Sequence, residues 1–271
     1  MIPRAHITAW RAVAPWPLDE QVEQDLILTR GLAEIFARPS LQRSLAFRGG
    51  TALHKLYFDG AGRYSEDLDL VQIEPGPIGP VLAELRQALD PWLGEPTWKQ
   101  GPSSAKLLYR FKTTGQPVRA MRVKVEINTC EHFSVDGLVH VRFGVNSPWY
   151  SAEAPVTTFT LDELLATKMR ALYQRRKGRD LYDLWLGLTT LGPDEAHIVE
   201  CLGEYLAHDK TRISRAEFEE NMVGKLASRD FRADVIPLLR DAAGYNVDAA
   251  AALVHDRLIA RLVGDPWKGL A

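Results

Sequence analysis

Hydrophobic positions change their spacing about half-way along this chain. The change separates residues 1–158, where short period-two runs alternate with helical stretches, from residues 159–271, where apolar residues recur at helical spacing throughout. The opening, with Trp10, Pro15, Trp16 and Pro17, is a poor helix until Asp19. From there Val22, Leu26, Ile27, Leu32 and Ile35 predict an amphipathic helix to about Arg38. A strand over Leu45–Arg48, a helix over Ala52–Phe58 and a strand over Asp67–Ile73 follow as a β-helix-β unit. Glu74-Pro75-Gly76-Pro77 breaks the chain before a helix over Ile78–Leu89, with Val81, Leu82, Leu85 and Leu89 inward. Two strands, Lys106–Phe111 and Val118–Asn128, are joined through Thr114-Gly115-Gln116-Pro117, and short strands or loops continue past Pro148, Trp149 and Pro155.

The second part opens on Thr160-Leu161-Asp162-Glu163, which reads as a capping box. Leu161, Leu164, Leu165 and Leu172 make the apolar stripe of the helix behind it, and Lys168 falls in the middle of that stripe. An ammonium there either snorkels out past the leucines or finds an anion, because burying it unpaired is expensive. A basic turn, Arg175 to Arg179, leads into a helix with Leu181, Leu184, Trp185, Leu188 and Leu191 inward. Asp180 sits where a carboxylate complements a helix N-terminus, whereas Asp183 lies too far in for that explanation to suffice. Helices over 194–206, 214–226, 231–239 and 247–263 complete a bundle, with Pro237 kinking or delimiting one of them.

Composition adds bounds. At 271 residues, 46% hydrophobic and 25% charged, the chain is expected to be soluble and globular, with one large domain or two modest ones. The first twenty residues hold no continuous apolar run of the signal-peptide kind and no stretch is long enough to span a bilayer, so a cytoplasmic location is expected, without membrane contact. Cys130 and Cys201 are far apart, which argues against a disulfide scaffold or a cysteine-based zinc site, and His54 and His132 show no metal-ligand spacing. A net charge of −2 does not announce a nucleic-acid binder, so any such contact must come from local patches. Lys106, Arg110, Lys112, Arg122 and Lys124 form one on the hairpin strands, either a track for an acceptor's phosphates or simply an exposed basic strand surface.

The chemistry concentrates in FRGGTALHKLYFDGAGRYSEDLDLV, residues 47–71. Gly49-Gly50 permits close backbone approach to a ligand, and Thr51 is placed to cap the following helix, whose N-terminus then faces an anion. In Asp67-Leu68-Asp69-Leu70 the period of two puts both carboxylates on one strand face, where they can share divalent cations. Glu126, alternating with Val125 and Ile127, is the natural third carboxylate on a neighbouring strand, or else a cross-strand partner for a lysine. A haloacid-dehalogenase Asp-x-Asp would follow an apolar strand, but Arg63-Tyr64-Ser65-Glu66 precedes this one.

The glycine pair, short helix and hDhDh strand resemble the nucleotidyltransferase fold shared with DNA polymerase beta. RGGTALHKLY…RYSEDLDL, with ELLATKMRALYQRRKGRDLYDL, resembles the AbiEii/MenT family of toxin nucleotidyltransferases. The resemblance implies an α+β fold: a polymerase beta-like mixed sheet with flanking helices, then a helical domain that completes the site. It implies that Asp67, Asp69 and Glu126 hold magnesium (or manganese), that Gly49, Gly50 and Thr51 cradle phosphates, and that Lys168 and Asp183 complete the catalytic set, with Asp180 a further nucleotide-site residue. Arg48, Lys55 and Arg63 are candidate phosphate contacts, Lys55 being equally readable as an exposed helix residue. Ser65 lies two residues before Asp67, where phosphorylation would compete with the triphosphate. The implied activity is nucleotide transfer from an NTP to an RNA acceptor, the tRNA 3′ end, blocking translation under the control of an antitoxin from an adjacent gene. A protein hydroxyl or small-molecule acceptor, or a non-catalytic nucleotide- or antitoxin-binding module, are the alternatives.

Overall fold

One almost wholly buried helix organises the first part of the chain in a computed structural model that describes residues 2–58 and 62–269. This helix, α2 (Asp19–Phe36), buries Val22, Leu26, Ile27, Leu32 and Ile35, as their spacing requires, but it also buries Gln21, Glu23, Gln24, Asp25 and Thr29. Buried polar groups persist only when hydrogen-bonded. Glu23 accepts from the Thr114 N–H, Gln24 donates to the Arg122 carbonyl, and Asp25 accepts from the indoles of Trp10 and Trp16. The tryptophans belong to a segment whose sequence reads as a poor helix. It nevertheless forms α1 (Arg4–Trp10), because burying Ile7 and Trp10 outweighs weak local propensity.

The chain divides into two compact units, Met1–Phe159 and Thr160–Ala271. In the first, α3 (Pro39–Ser44), α4 (Gly49–Leu56) and α5 (Gly79–Leu93) join α2 around seven strands. These are β1 (Leu45–Arg48), β2 (Asp67–Gln72), β3 (Thr97–Gln100), β4 (Ser104–Lys112), β5 (Ala120–Asn128), β6 (Val139–Asn146) and β7 (Ser151–Thr158). They form one mixed sheet in the order β3-β4-β5-β2-β1-β7-β6, with β2 antiparallel to β1 and parallel to β5. The α+β expectation holds. Residues 59–61, in the spacer between glycine turn and aspartate strand, lie outside the described residues.

Alternation sorts the sheet's two faces. Leu68, Leu70, Ala105, Leu107, Tyr109, Val123, Val125 and Ile127 are buried, and α2 and α5 pack on these strands. The intervening polar residues occupy the other, open face.

Two strand regions differ from expectation. β3 went unforeseen because Thr97-Trp98-Lys99-Gln100 is an exposed edge without apolar alternation. β6 and β7 form a hairpin of two eight-residue strands where only short strands or loops were expected, since Pro155 demotes the pattern. The proline is tolerated because β1 meets β7 only at Phe47 and Thr158, leaving Pro155 clear of that ladder.

The second unit contains α6 (Leu161–Gln174), α7 (Gly178–Thr190), α8 (Glu195–His208), α9 (Arg215–Leu226), α10 (Arg229–Ala233) and α11 (Val247–Arg257). Side-chain N-caps at Thr160, Asp194, Ser214, Ser228 and Asn246 start five of them. The helix expected over 231–239 stops at Ala233 and the one over 247–263 stops at Arg257. Tight 3-10 turns at Ile236–Leu238, which contains Pro237, and Ile259–Arg261 follow them. These turns still bury Leu239 and Ile259, so the apolar pattern outlasts the α-helix that first produced it. Among the described residues no helix is long and apolar enough to cross a membrane.

Candidate active site

The sheet register assembles the acidic cluster. β2 and β5 run side by side with Asp69 opposite Glu126 and Asp67 opposite Lys124. One row of register partners crosses five strands as Arg48, Asp69, Glu126, Lys106 and Lys99, all on the open face. With neighbouring strands about 4.8 Å apart, Asp69 and Glu126 stand side by side on that face.

Gly49 closes one side of this cluster. Its φ is +81°, and a Cβ there would lie 2.8 Å from the Asp69 Oδ2, so only glycine lets the turn approach that carboxylate. Thr51 does not cap α4 as expected. The helix begins at Gly49, two residues earlier, and the buried Thr51 hydroxyl donates instead to the Asp67 carbonyl at 2.6 Å. Its proton being committed there, the Ser65 hydroxyl donates to Thr51 Oγ1, also at 2.6 Å. The glycine turn, Ser65 and the start of β2 are thereby tied together.

Lys124 stands between two of the acids. Its Nζ lies 3.0 Å from Asp67 and 2.9 Å from Glu126, while Lys106 reaches Glu126 at 2.7 Å. Burial works against the Lys124 charge, but hydrogen bonds to Glu126 and Asp67 outweigh it and raise the ammonium's pKa. Burial likewise works to raise Glu126, and the bonds from Lys106 and Lys124 prevail and hold it below its ordinary value. Glu126 is thus a lysine partner on the same face as both aspartates. A set of carboxylate oxygens that already draws in an ammonium fits a hard divalent cation.

The candidate phosphate contacts are more committed than the sequence implies. Arg48 pairs with Glu131. Lys55 is not an exposed helix residue: its Nζ is 2.7 Å from Asp25 and 2.9 Å from the Thr29 hydroxyl. Arg63 is buried, its N–H donating to His54 Nδ1 and its guanidinium to the Tyr64 carbonyl. Pairing with Glu131 and Asp25 carried no sequence signal, since both partners come from distant segments.

Within the second unit Lys168 does find anions. It is buried, with Nζ 2.8 Å from Asp183 and 3.2 Å from Asp180. Asp180 is more than a helix-dipole partner: fully buried, it also accepts from Arg175 at 2.7 and 2.8 Å. Burial alone would raise its pKa, but Lys168 and Arg175 prevail and lower it. Glu163, expected in a capping box, accepts the buried Tyr205 hydroxyl at 2.7 Å. Nearby, the Lys225 ammonium donates to the Leu172 and Tyr173 carbonyls at the end of α6.

No curated protein matches this sequence. Among solved structures, the nucleotidyltransferase toxin MenT4 (Rv2826c) of Mycobacterium tuberculosis H37Rv shares the fold with a TM-score of 0.65 at 20% identity, over 98% of this chain and 92% of that one. A putative nucleotidyltransferase from H. pylori aligns with a TM-score of 0.51 at 14% identity, over 91% of this chain and 100% of that one. The model of the nucleotidyl transferase AbiEii toxin, of type IV toxin–antitoxin systems, matches residues 30–253. This chain therefore belongs to the AbiEii nucleotidyltransferase toxins, enzymes that use an NTP and generally a divalent metal and are paired with an antitoxin.

Proposed function

We propose that this toxin transfers a nucleotide from an NTP to the 3′ end of an RNA acceptor, a tRNA, and so blocks translation in the cytoplasm where both substrates are found. The observation that carries the reading is the register of Asp67, Asp69 and Glu126 on adjacent strands beside a turn that only glycine can make. Phosphoryl transfer needs positioning and charge neutralisation more than covalent help from the protein. Asp67, Asp69 and Glu126 are the residues that would hold magnesium, which when bound neutralises charge developing on the transferring phosphate. The backbone of Gly49, Gly50 and Thr51 receives the outgoing phosphates, and the Thr51–Ser65–Asp67 hydrogen bonds keep that turn in register with the carboxylates. Glu126 accepts the acceptor hydroxyl's proton. Within the second unit, Asp183 and Asp180 hold the Lys168 ammonium between them. Arg48, Lys55 and Arg63 support the turn through their own partners.

Incubation with magnesium, each labelled NTP in turn and total RNA is expected to label tRNA at its 3′ end. Asp67→Asn and Asp69→Asn should each abolish labelling while the proteins stay folded. Label arriving only in protein or small-molecule fractions would overturn the RNA reading, and undiminished labelling by both variants would overturn the site.

A further inference from the structure

The open face outward of the acidic cluster places like charges opposite each other. Arg110 of β4 is the register partner of Arg122 of β5, and Lys106 of β4 is the partner of Lys99 of β3. Like charges directly opposite on neighbouring strands destabilise a sheet. Lys106 is offset by Glu126, but among the described residues Lys99, Lys112 and Arg122 have no ion pair, and Arg110 is bonded only to the neutral Thr97 hydroxyl. Some surface arginines elsewhere are paired, as Arg142 is with Glu153 and Arg232 with Asp248. Lys99, Lys106, Arg122 and Lys124 also line, with Asp67, a cleft of about 320 Å³.

We propose that this face of β3, β4 and β5 is the binding track for the single-stranded 3′ end of the RNA acceptor, with Lys99, Arg110 and Arg122 holding its phosphates. The proposal rests on RNA transfer at the Asp67 cluster and adds where the acceptor lies. Three strand spacings of about 4.8 Å put Lys99 roughly 14 Å from Asp69, the reach of a short 3′ overhang. An extended chain of phosphates relieves the cross-strand repulsion, whereas a single triphosphate held at the glycine turn is too compact to cover it.

The test uses the full-length protein with Arg110→Gln/Arg122→Gln, a charge-keeping Arg110→Lys/Arg122→Lys control, a 5′-labelled single-stranded RNA oligonucleotide and a blunt RNA duplex. Without NTP, the glutamine pair is expected to weaken single-strand binding about tenfold and to lower the salt-dependence slope by about 1.4, the share of two phosphate contacts. The lysine pair should retain most of the affinity. Binding of magnesium-NTP should be unchanged, and the melting temperature unchanged or higher, because a repulsive pair has gone. Unchanged single-strand affinity and slope would overturn the proposal. So would a parallel loss of NTP affinity, which assigns the face to the triphosphate, or an equal loss for the blunt duplex. If wild type labels RNA while the glutamine pair binds it normally, the track fails and the transfer reading stands. If the pair loses RNA binding but wild type labels no RNA, the transfer reading fails and the track stands.

Discussion

Replacing Gly49 by alanine tests the closest approach in the site, and Gly94 supplies its control. Both glycines have φ +81°, but a Cβ at Gly94 would meet nothing within 4 Å, whereas one at Gly49 would lie 2.8 Å from Asp69 Oδ2 and 3.3 Å from its Cβ. Gly94, with ψ −178°, lies in a region that other residues hold only at a cost of about 1–3 kcal/mol. At about 2–4 °C per kcal/mol for a protein of this size, Gly94→Ala should melt roughly 2–12 °C below wild type and keep its transfer rate. Gly49→Ala also carries a positive-φ cost, and in addition Asp69 must swing away or the turn must withdraw. A displacement of about 1 Å in a reacting constellation costs on the order of 100-fold, so its rate should fall by at least that much. Thermal melting and labelled-NTP transfer, measured on both variants at one temperature well below either midpoint, separate the two effects. Equal rates for Gly49→Ala and Gly94→Ala would refute the contact argument, whatever their melting temperatures.

Thr51→Val should lose about 1–3 kcal/mol in urea unfolding, since it leaves the Ser65 hydroxyl and the Asp67 carbonyl without their shared partner; a change under about 0.5 kcal/mol would show that the tie does not hold the turn. Asp180→Asn leaves the buried Lys168 short of a carboxylate and should cost about 3 kcal/mol. The pKa of Asp180 is lowered in the fold, so its stabilising contribution is present above its ordinary value of 3.8 and lost as pH falls through the folded value. Acid unfolding of Asp180→Asn should accordingly be less steep over that range, and an unchanged acid limb would count against the cluster. Burial pushes Lys225 down from 10.5 to about 8, with Asp180 pulling the other way. Between those values the unfolded chain binds more protons, so this group makes stability rise with pH; the rise should be missing in Lys225→Met, and parallel curves would refute it.

The strand faces that carry the candidate site were readable before any fold was known. Alternation in Asp67-Leu68-Asp69-Leu70 and in Val123 to Asn128 fixes which side chains share a face, because successive residues of a strand point to opposite sides. The stripe of leucines around Lys168 left that ammonium either to snorkel out or to meet an anion, and it meets two. Elements whose burial follows from neighbours were less readable: α1 forms because Trp10 reaches Asp25, and β3 because β4 offers it an edge.

What the sequence determined by itself was local: the faces of its strands, the glycine turn, the caps and the family motifs. Only the tertiary structure decided who stands beside whom. It set Glu126 against Asp69, put Lys124 between two acids, committed Lys55 to Asp25 and placed Arg110 across from Arg122. The physical reason is that strand register and long-range ion pairs are fixed by burying one face of the whole sheet against its helices. No window of residues contains that constraint.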